Sequence, residues 1–260
     1  MQMDAAYSNS DHVPESAGYP PRWEAAAGAF RAGLGERAEL GRSYGPSERQ
    51  RLDLFHPAGA AAGLVVFVHG GYWKSMHRHF WSHLAAGPLA RGWAVAMPSY
   101  DLCPEVRIAD ITRQIAAAVT AAAGRVAGPL RLTGHSAGGH LVARMCAPGM
   151  LPAPVAARLA RVVPISALAD LAPLMETSMN DILGIDAAEA AAESPVNQPP
   201  PQMPTTAWVG GAELPAFLDQ ARWLAEAWGV AWHADPGRHH FDVIDALAAP
   251  ESDLVRELLA

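Results

Sequence analysis

The sequence predicts an α/β protein, a mostly parallel central sheet with helices on both faces. Three observations carry that prediction. From about Ala38 onward, short apolar runs alternate with longer amphipathic ones, the rhythm of repeated strand–helix units. Several of the short runs are continuously apolar, as strands buried on both faces are. A glycine-rich turn, Gly134-His135-Ser136-Ala137-Gly138, separates one such run from a helix-compatible stretch.

The elements follow in chain order. Residues 1–20 are polar and rich in Ser, Asp and Pro, which predicts a flexible arm ahead of a single domain over 21–260. Gln50–Phe55 alternates polar and apolar, as an early strand with one wet face would. Leu64–Val68 and Trp93–Met97 read as buried strands, the second ending at Pro98. Leu130–Thr133, Arg161–Ile165, Thr205–Val209 and Val230–His233 complete the set. Between strands, Ile108, Ile111, Ile115 and Val119 recur at three- and four-residue intervals and define one apolar helix face. Phe217, Ala221, Leu224 and Trp228 repeat the pattern, with Pro215 suited to a first helical turn. Val243, Ile244 and Leu247 open a last helix that Pro250 is expected to interrupt. Residues 168–204 break the rhythm: an Ala-rich helical piece runs into PVNQPPPQMP, which is neither regular helix nor sheet. An insertion at that place predicts a cap over the site, with a surface excursion as the alternative.

Composition narrows the function. The formal net charge of −7 and the lack of any dense Lys/Arg run argue against a nucleic-acid partner. Cys103 and Cys146 have neither zinc-site nor disulfide-framework spacing and read as small buried hydrophobes. No basic start precedes an apolar stretch near the N-terminus, and no run approaches the ~20 apolar residues that span a bilayer. The cytoplasm is therefore the expected location. His77, His79 and His83 lack an Asp, Glu or Cys at ligand spacing, so no metal and no other cofactor is expected. The partner expected is a small-molecule acyl substrate, with no membrane and a homodimer as a further possibility.

The chemistry concentrates in three places. A strand-to-helix turn built on Gly134 and Gly138 presents Ser136 at the tip of the sheet and at a helix N-terminus, the setting of an activated nucleophile. His69-Gly70-Gly71-Tyr72-Trp73 directly follows the strand LVVFV, where glycines let backbone N–H groups approach a developing oxyanion. Gly71 and Tyr72 are assigned as those donors, with Ala137 beside the nucleophile as the third, and His69 as a loop-shaping residue. Tyr72 and Trp73 are candidates for an aromatic substrate wall. A serine needs a base, and the base needs an acid, in the order Ser, acid, His. His240, in the loop after the last strand, is the base expected, with His239 its local competitor. Glu213, after the penultimate strand, is the acid expected, with Asp170 the alternative.

With these residues in view the chain resembles the arylformamidase (kynurenine formamidase) branch of the α/β-hydrolases, near the hormone-sensitive-lipase-like esterases. The likeness runs over about residues 44–247. It is carried by YGPSERQRLDLFHP at 44–57, HGGYW at 69–73, YDLCPEV at 100–106, GHSAGGHL at 134–141, GGAELPAFLDQ at 210–220 and HHFDVIDAL at 239–247. The family's acid is usually Asp in a stretch like D-x-P-x-F. Here Glu213-Leu214-Pro215-Ala216-Phe217 matches it, so Glu stands where Asp is usual. The resemblance implies the α/β-hydrolase fold and hydrolysis of N-formyl-L-kynurenine to kynurenine and formate, a step of tryptophan catabolism. The residues alone imply ester or amide hydrolysis. A broad short-acyl carboxylesterase is the neighbouring reading, and a non-catalytic binding protein on the same fold is the reading from another class.

Overall fold

The structure is a computed structural model and describes residues 2–260. Its strands are β1 (Ala38–Ser43), β2 (Arg51–Phe55), β3 (Leu64–Val68), β4 (Ala94–Pro98), β5 (Leu130–His135), β6 (Leu159–Ile165), β7 (Thr206–Gly210) and β8 (Ala231–Asp235). They form one sheet in the order β1-β2-β4-β3-β5-β6-β7-β8. β2 pairs antiparallel with β1 and β4, and every other pairing is parallel.

The predicted strands all form, within a residue or two at each end. β3, β4 and β7 are buried along their whole length, the burial their continuous apolar runs require. β1 escaped the sequence reading. AELGRS has no clean alternation, lies at the sheet edge and is bulged between Glu39 and Arg42. Its pattern is set by its position, not by a buried face.

Helices α1 (Gln2–Tyr7), α2 (Asn9–His12), α3 (Tyr19–Leu34) and α4 (Ala86–Ala90) precede α5 (Ile108–Ala123) and α6 (Ala137–Arg144). Then come α7 (Ala153–Ala156), α8 (Asn180–Leu183), α9 (Ala187–Glu193), α10 (Pro215–Trp228) and α11 (Asp253–Leu259). α5 buries Ile108, Ile111, Ile115 and Val119, and α10 buries Phe217, Ala221, Leu224 and Trp228, the two stripes read from spacing. Val243–Ala248 forms only a 3-10 turn. Past Pro250 the chain restarts as α11, where Ser252 Oγ accepts from the N–H of Val255 at 3.2 Å.

Side chains on a strand alternate between faces, so β3 feeds two cores. Leu64, Val66 and Val68 join α5 and Phe217 on one side; Val65 and Phe67 join Trp23, Trp81 and α11 on the other. No helix among the described residues is long and apolar enough to cross a membrane.

The structure shows how two segments cover the sheet. Described from residue 2, the N-terminal segment is not a loose arm: it folds as α1 and α2 and docks. Tyr7 and Val13 are buried, and such anchors outweigh the polar composition around them. Tyr7 meets the Phe217 ring edge-on at 5.8 Å and its hydroxyl accepts from Gln220 Nε2 at 3.0 Å. The Tyr72 hydroxyl donates to the Tyr7 carbonyl at 2.6 Å, and Asp4 accepts from the Ser178 N–H at 2.6 Å. Residues 168–204, in turn, pack against α1, α5, α6 and α10. Arg107 pairs with Asp186 and Glu189, and Arg144 pairs with Glu193, both buried to within a few per cent. Only Ser178 and Met179 of that stretch reach the central cavity.

Candidate active site

A cavity of about 690 Å³ opens at the carboxyl ends of the parallel strands, where ligands of open α/β sheets bind. Ser136, His240, Gly70, Gly71 and Tyr72 line its floor. Its walls come from the N-terminal segment and from Trp81, Met179 and Phe241.

Ser136 sits between β5 and α6 at φ 56°, ψ −119°, a conformation L residues rarely adopt. The surroundings hold it there. Its N–H donates to the Ile165 carbonyl at 2.8 Å, and its carbonyl accepts from His140 at 3.0 Å. Gly138 is required by contact: a Cβ there would lie 2.0 Å from the Val68 carbonyl oxygen. That near-touch of α6 and β3 brings the Ser136 turn beside the loop that follows β3.

Glu213 and His240 meet in the buried layer below the cavity. His240 Nδ1 donates to Glu213 Oε2 at 2.6 Å, with both residues under 5% exposed. A carboxylate only accepts, so Nδ1 is the donor here, and in the neutral imidazole this leaves Nε2 as the acceptor. The other carboxylate oxygen accepts from Ser166 Oγ at 2.5 Å and from the Gly210 N–H at 2.8 Å. The His240 ring is flanked by Phe217 at 4.4 Å and His135 at 4.5 Å. Burial drives the His135 imidazole well below its usual range, so it stands beside His240 without charge.

The alternatives left by the sequence now separate. Asp170 turns to the N–H of Ala172 and lies near Ser194, not His240. His239 meets the Tyr19 hydroxyl through Nε2 at 3.0 Å, its Nδ1 accepts from the Phe241 N–H at 3.2 Å and its backbone N–H donates to Asp242 at 2.7 Å, and it does not line the cavity.

The loop after β3 is held from below. The Gly70 carbonyl accepts from His69 Nδ1 at 2.7 Å, and the Gly71 carbonyl accepts from the N–H groups of Lys74 and Ser75 at 3.1 Å. His69 stacks on Tyr100 at 4.4 Å, and burial pushes its pKa down to about 3, so it shapes the loop as a neutral ring. In a trans peptide the N–H points opposite to the C=O. The N–H groups of Gly71 and Tyr72 therefore turn away from those partners, in residues that line the cavity. Ala137 opens α6, and its N–H has no acceptor within that helix.

Trp73 is corrected. It is fully buried, edge-on to His140 at 5.0 Å, and does not line the cavity. The aromatic wall consists of Tyr72 with Trp23, Trp81 and Phe241, which the sequence reading missed. Trp23 lies 4.7 Å from Trp81 and meets Phe241 edge-on at 5.7 Å. No local motif marks them, because three distant segments meet there. The histidines at 77, 79 and 83 serve the β3–β4 connection. His77 caps a turn by accepting from His79, and Arg78 between them pairs with buried Asp53 at 2.9 Å.

Sheet order, strained serine turn and buried carboxylate–imidazole pair define an α/β hydrolase, and residues 65–259 match the model of the alpha/beta hydrolase family. The chain belongs to that family and is a hydrolase. Two curated relatives are kynurenine formamidases. That of Salmo salar is 26% identical over 83% of this chain and 79% of its own length, and that of Drosophila melanogaster is 29% identical over 81% and 77%. A crystal structure from Silicibacter sp. tm1040, provisionally described as a thioesterase, superposes with a TM-score of 0.99. It is 56% identical, covering all of both chains. Esterase B of Lactobacillus rhamnosis, 19% identical over 95% of this chain and 92% of its own, has a TM-score of 0.64 and shares the fold.

Proposed function

We propose that the protein is a serine hydrolase that cleaves an N-formyl arylamine, N-formyl-L-kynurenine first among them, through an acyl-enzyme. The observation that carries this reading is the buried 2.6 Å contact of Glu213 with His240 Nδ1, beside a strained Ser136 in the same cavity. Glu213 holds the imidazole in the tautomer whose Nε2 takes the Ser136 hydroxyl proton. The Ser136 oxygen attacks the formyl carbon. The N–H groups of Gly71, Tyr72 and Ala137 stabilise the resulting oxyanion, and one such donor is worth about 3–4 kcal/mol. His240 then hands the proton to the departing arylamine nitrogen. A water, deprotonated by His240, attacks the formyl-enzyme and releases formate.

The formamidase assignment is supported by the two curated relatives and by the aromatic wall, which suits a flat aryl group. The 56% identical neighbour favours a second reading, hydrolysis of a short-acyl thioester by the same steps. The test is steady-state hydrolysis of N-formyl-L-kynurenine, p-nitrophenyl acetate and acetyl-thiocholine, with Ser136→Ala as control. Preference for the formamide, abolished by the substitution, establishes the reading. Activity confined to the ester or thioester overturns the formamide assignment, and activity that survives in Ser136→Ala overturns serine catalysis.

A further inference from the structure

The bonds within the loop after β3 do not by themselves fix where that loop stands. Of the six side-chain-bearing residues with positive φ among the described residues, three fall in it: Tyr72 at 48°, Trp73 at 53° and Met76 at 73°. Gly71, at 110°, joins them. Such a run persists only where the surroundings over-determine it. Two side chains supply that hold, and both come from segments to which the serine mechanism gives no part. Tyr100, fully buried after β4, stacks on the His69 ring at 4.4 Å and donates its hydroxyl to the His69 carbonyl at 2.8 Å. Arg49, ahead of β2, donates from Nε to the Tyr100 carbonyl at 2.7 Å and from Nη2 to the Met76 carbonyl at 2.6 Å. Asp101 is taken up by Ser47, Gln50 and Gln114, and the guanidinium spends these bonds on backbone carbonyls.

We propose that Arg49 and Tyr100 are positioning residues for the oxyanion hole. Tyr100 ties the first residue of the loop and Arg49 ties Met76 at its far end. The bond between them closes a bridge behind Gly71 and Tyr72, whose N–H groups must stay aimed at the oxyanion. The Cys103 N–H, from the same segment as Tyr100, donates to the Trp73 carbonyl at 2.8 Å and adds a third tie. The loop has no slack toward the nucleophile. A Cβ on Gly70 would lie 2.9 Å from the His135 carbonyl oxygen and 3.0 Å from the Ser136 Cβ. Movement of the loop therefore changes the spacing between its donors and Ser136, and a displacement of about 1 Å is enough to cost about 100-fold in rate. The planar fork of Arg49 reaches two acceptors at once, which a single ammonium does not. The inference rests on the serine-hydrolase reading and deepens it by naming what holds its oxyanion donors.

The test is steady-state hydrolysis of p-nitrophenyl acetate by Arg49→Met, Arg49→Lys and Tyr100→Phe. Turnover is counted per Ser136 labelled to completion by a fluorophosphonate, so that unfolded enzyme is not scored. Arg49→Met is expected to lose about 10²-fold in kcat, and Tyr100→Phe, which keeps the stacked ring, about 10-fold. KM should stay within about 2-fold of wild type in both, since the hole acts on the transition state. Arg49→Lys should recover only part of the loss, because it reaches one carbonyl instead of two. The double variant Arg49→Met/Gly71→Ala should fall little below the worse single one, because both disturb the same donors, whereas independent effects multiply. Tyr100→Phe decides the matter if Arg49→Met does not fold. Variants that lose stability in urea but keep kcat within about 3-fold, or that change KM alone, overturn the proposal while leaving serine catalysis in place. Multiplied effects in the double variant overturn it too. Hydrolysis that survives Ser136→Ala fails the serine reading and takes this one with it.

Discussion

Ser166 and Glu213 are joined by a 2.5 Å hydrogen bond between a hydroxyl at the end of β6 and a carboxylate after β7. Ser166 holds this position at φ 49°, outside the ordinary regions, with its N–H on the Trp208 carbonyl at 2.7 Å. The bond leaves Oε2 of Glu213 for His240, so one oxygen is anchored and the other orients the imidazole.

Replacing the carboxylate should therefore cost more than replacing its anchor. Glu213→Gln keeps the size but presents an amide that cannot hold Nδ1–H in the same way. A fall in kcat of roughly 10³- to 10⁴-fold, with KM little changed, is expected from the equivalent change in other triads. Steady-state kinetics check this, and a loss below about 10-fold would remove Glu213 from the proposed mechanism.

Ser166→Ala removes one of two donors to Oε1 and leaves the Gly210 N–H in place. We expect kcat to drop about 10-fold and the pH–rate profile to shift, because a less anchored carboxylate changes the basicity of His240. A variant with reduced stability but an unchanged profile would assign Ser166 to folding alone.

Gly71 has φ 110°, and a Cβ there would lie 2.5 Å from the Ser75 carbonyl oxygen. Gly71→Ala must tilt the loop that carries two of the proposed oxyanion donors. The expected result is a loss of about 10²- to 10³-fold in kcat with a folded protein, read by kinetics beside circular dichroism.

Tyr7→Ala should loosen the N-terminal segment from α10. It deletes the ring against Phe217 and leaves Gln220 Nε2 with only the Asp170 carbonyl at 2.8 Å. Urea unfolding should show about 3–5 kcal/mol lost, as for other buried aromatics cut to alanine. KM should rise with it, because α1 and α2 wall the cavity. Stability lost without any change in KM would mean the N-terminal segment docks without a part in substrate binding.

Stability should decline on mild acidification. Burial holds His69 down to about 3 and His140 down to about 4, and pushes His135 well below its normal range. In the unfolded chain each titrates near 6.5, so between about pH 6.5 and 4 the unfolded state binds more protons. Stability is thus full above pH 6.5 and is lost as pH falls through that window. The slope approaches about 1.4 kcal/mol per pH unit for each histidine. Urea titrations at pH 7, 6 and 5 measure it, and a flat profile would mean these rings are not held neutral.

The legible parts of this chain are those where local spacing and burial coincide. Continuous runs such as LVVFV became strands because a strand buried on both faces must be apolar throughout. Ser136 and the loop after β3 were legible because a turn of that sharpness demands glycines at set offsets. β1 and the docking of Tyr7 were not, since both depend on surfaces that distant segments supply.

Taken alone, the sequence determined the sheet-and-helix order, the serine turn and the candidates for base and acid. Each of these follows from periodicity or from residues a few positions apart. Only tertiary structure shows which carboxylate reaches His240 Nδ1: Glu213 does, while Asp170 turns to the Ala172 N–H. It likewise moved Trp73 into the core, put Trp23, Trp81 and Phe241 around the cavity, and made a polar N-terminal segment part of its wall. Those outcomes depend on contacts between residues as far apart as Tyr7 and Gln220, which no local pattern encodes.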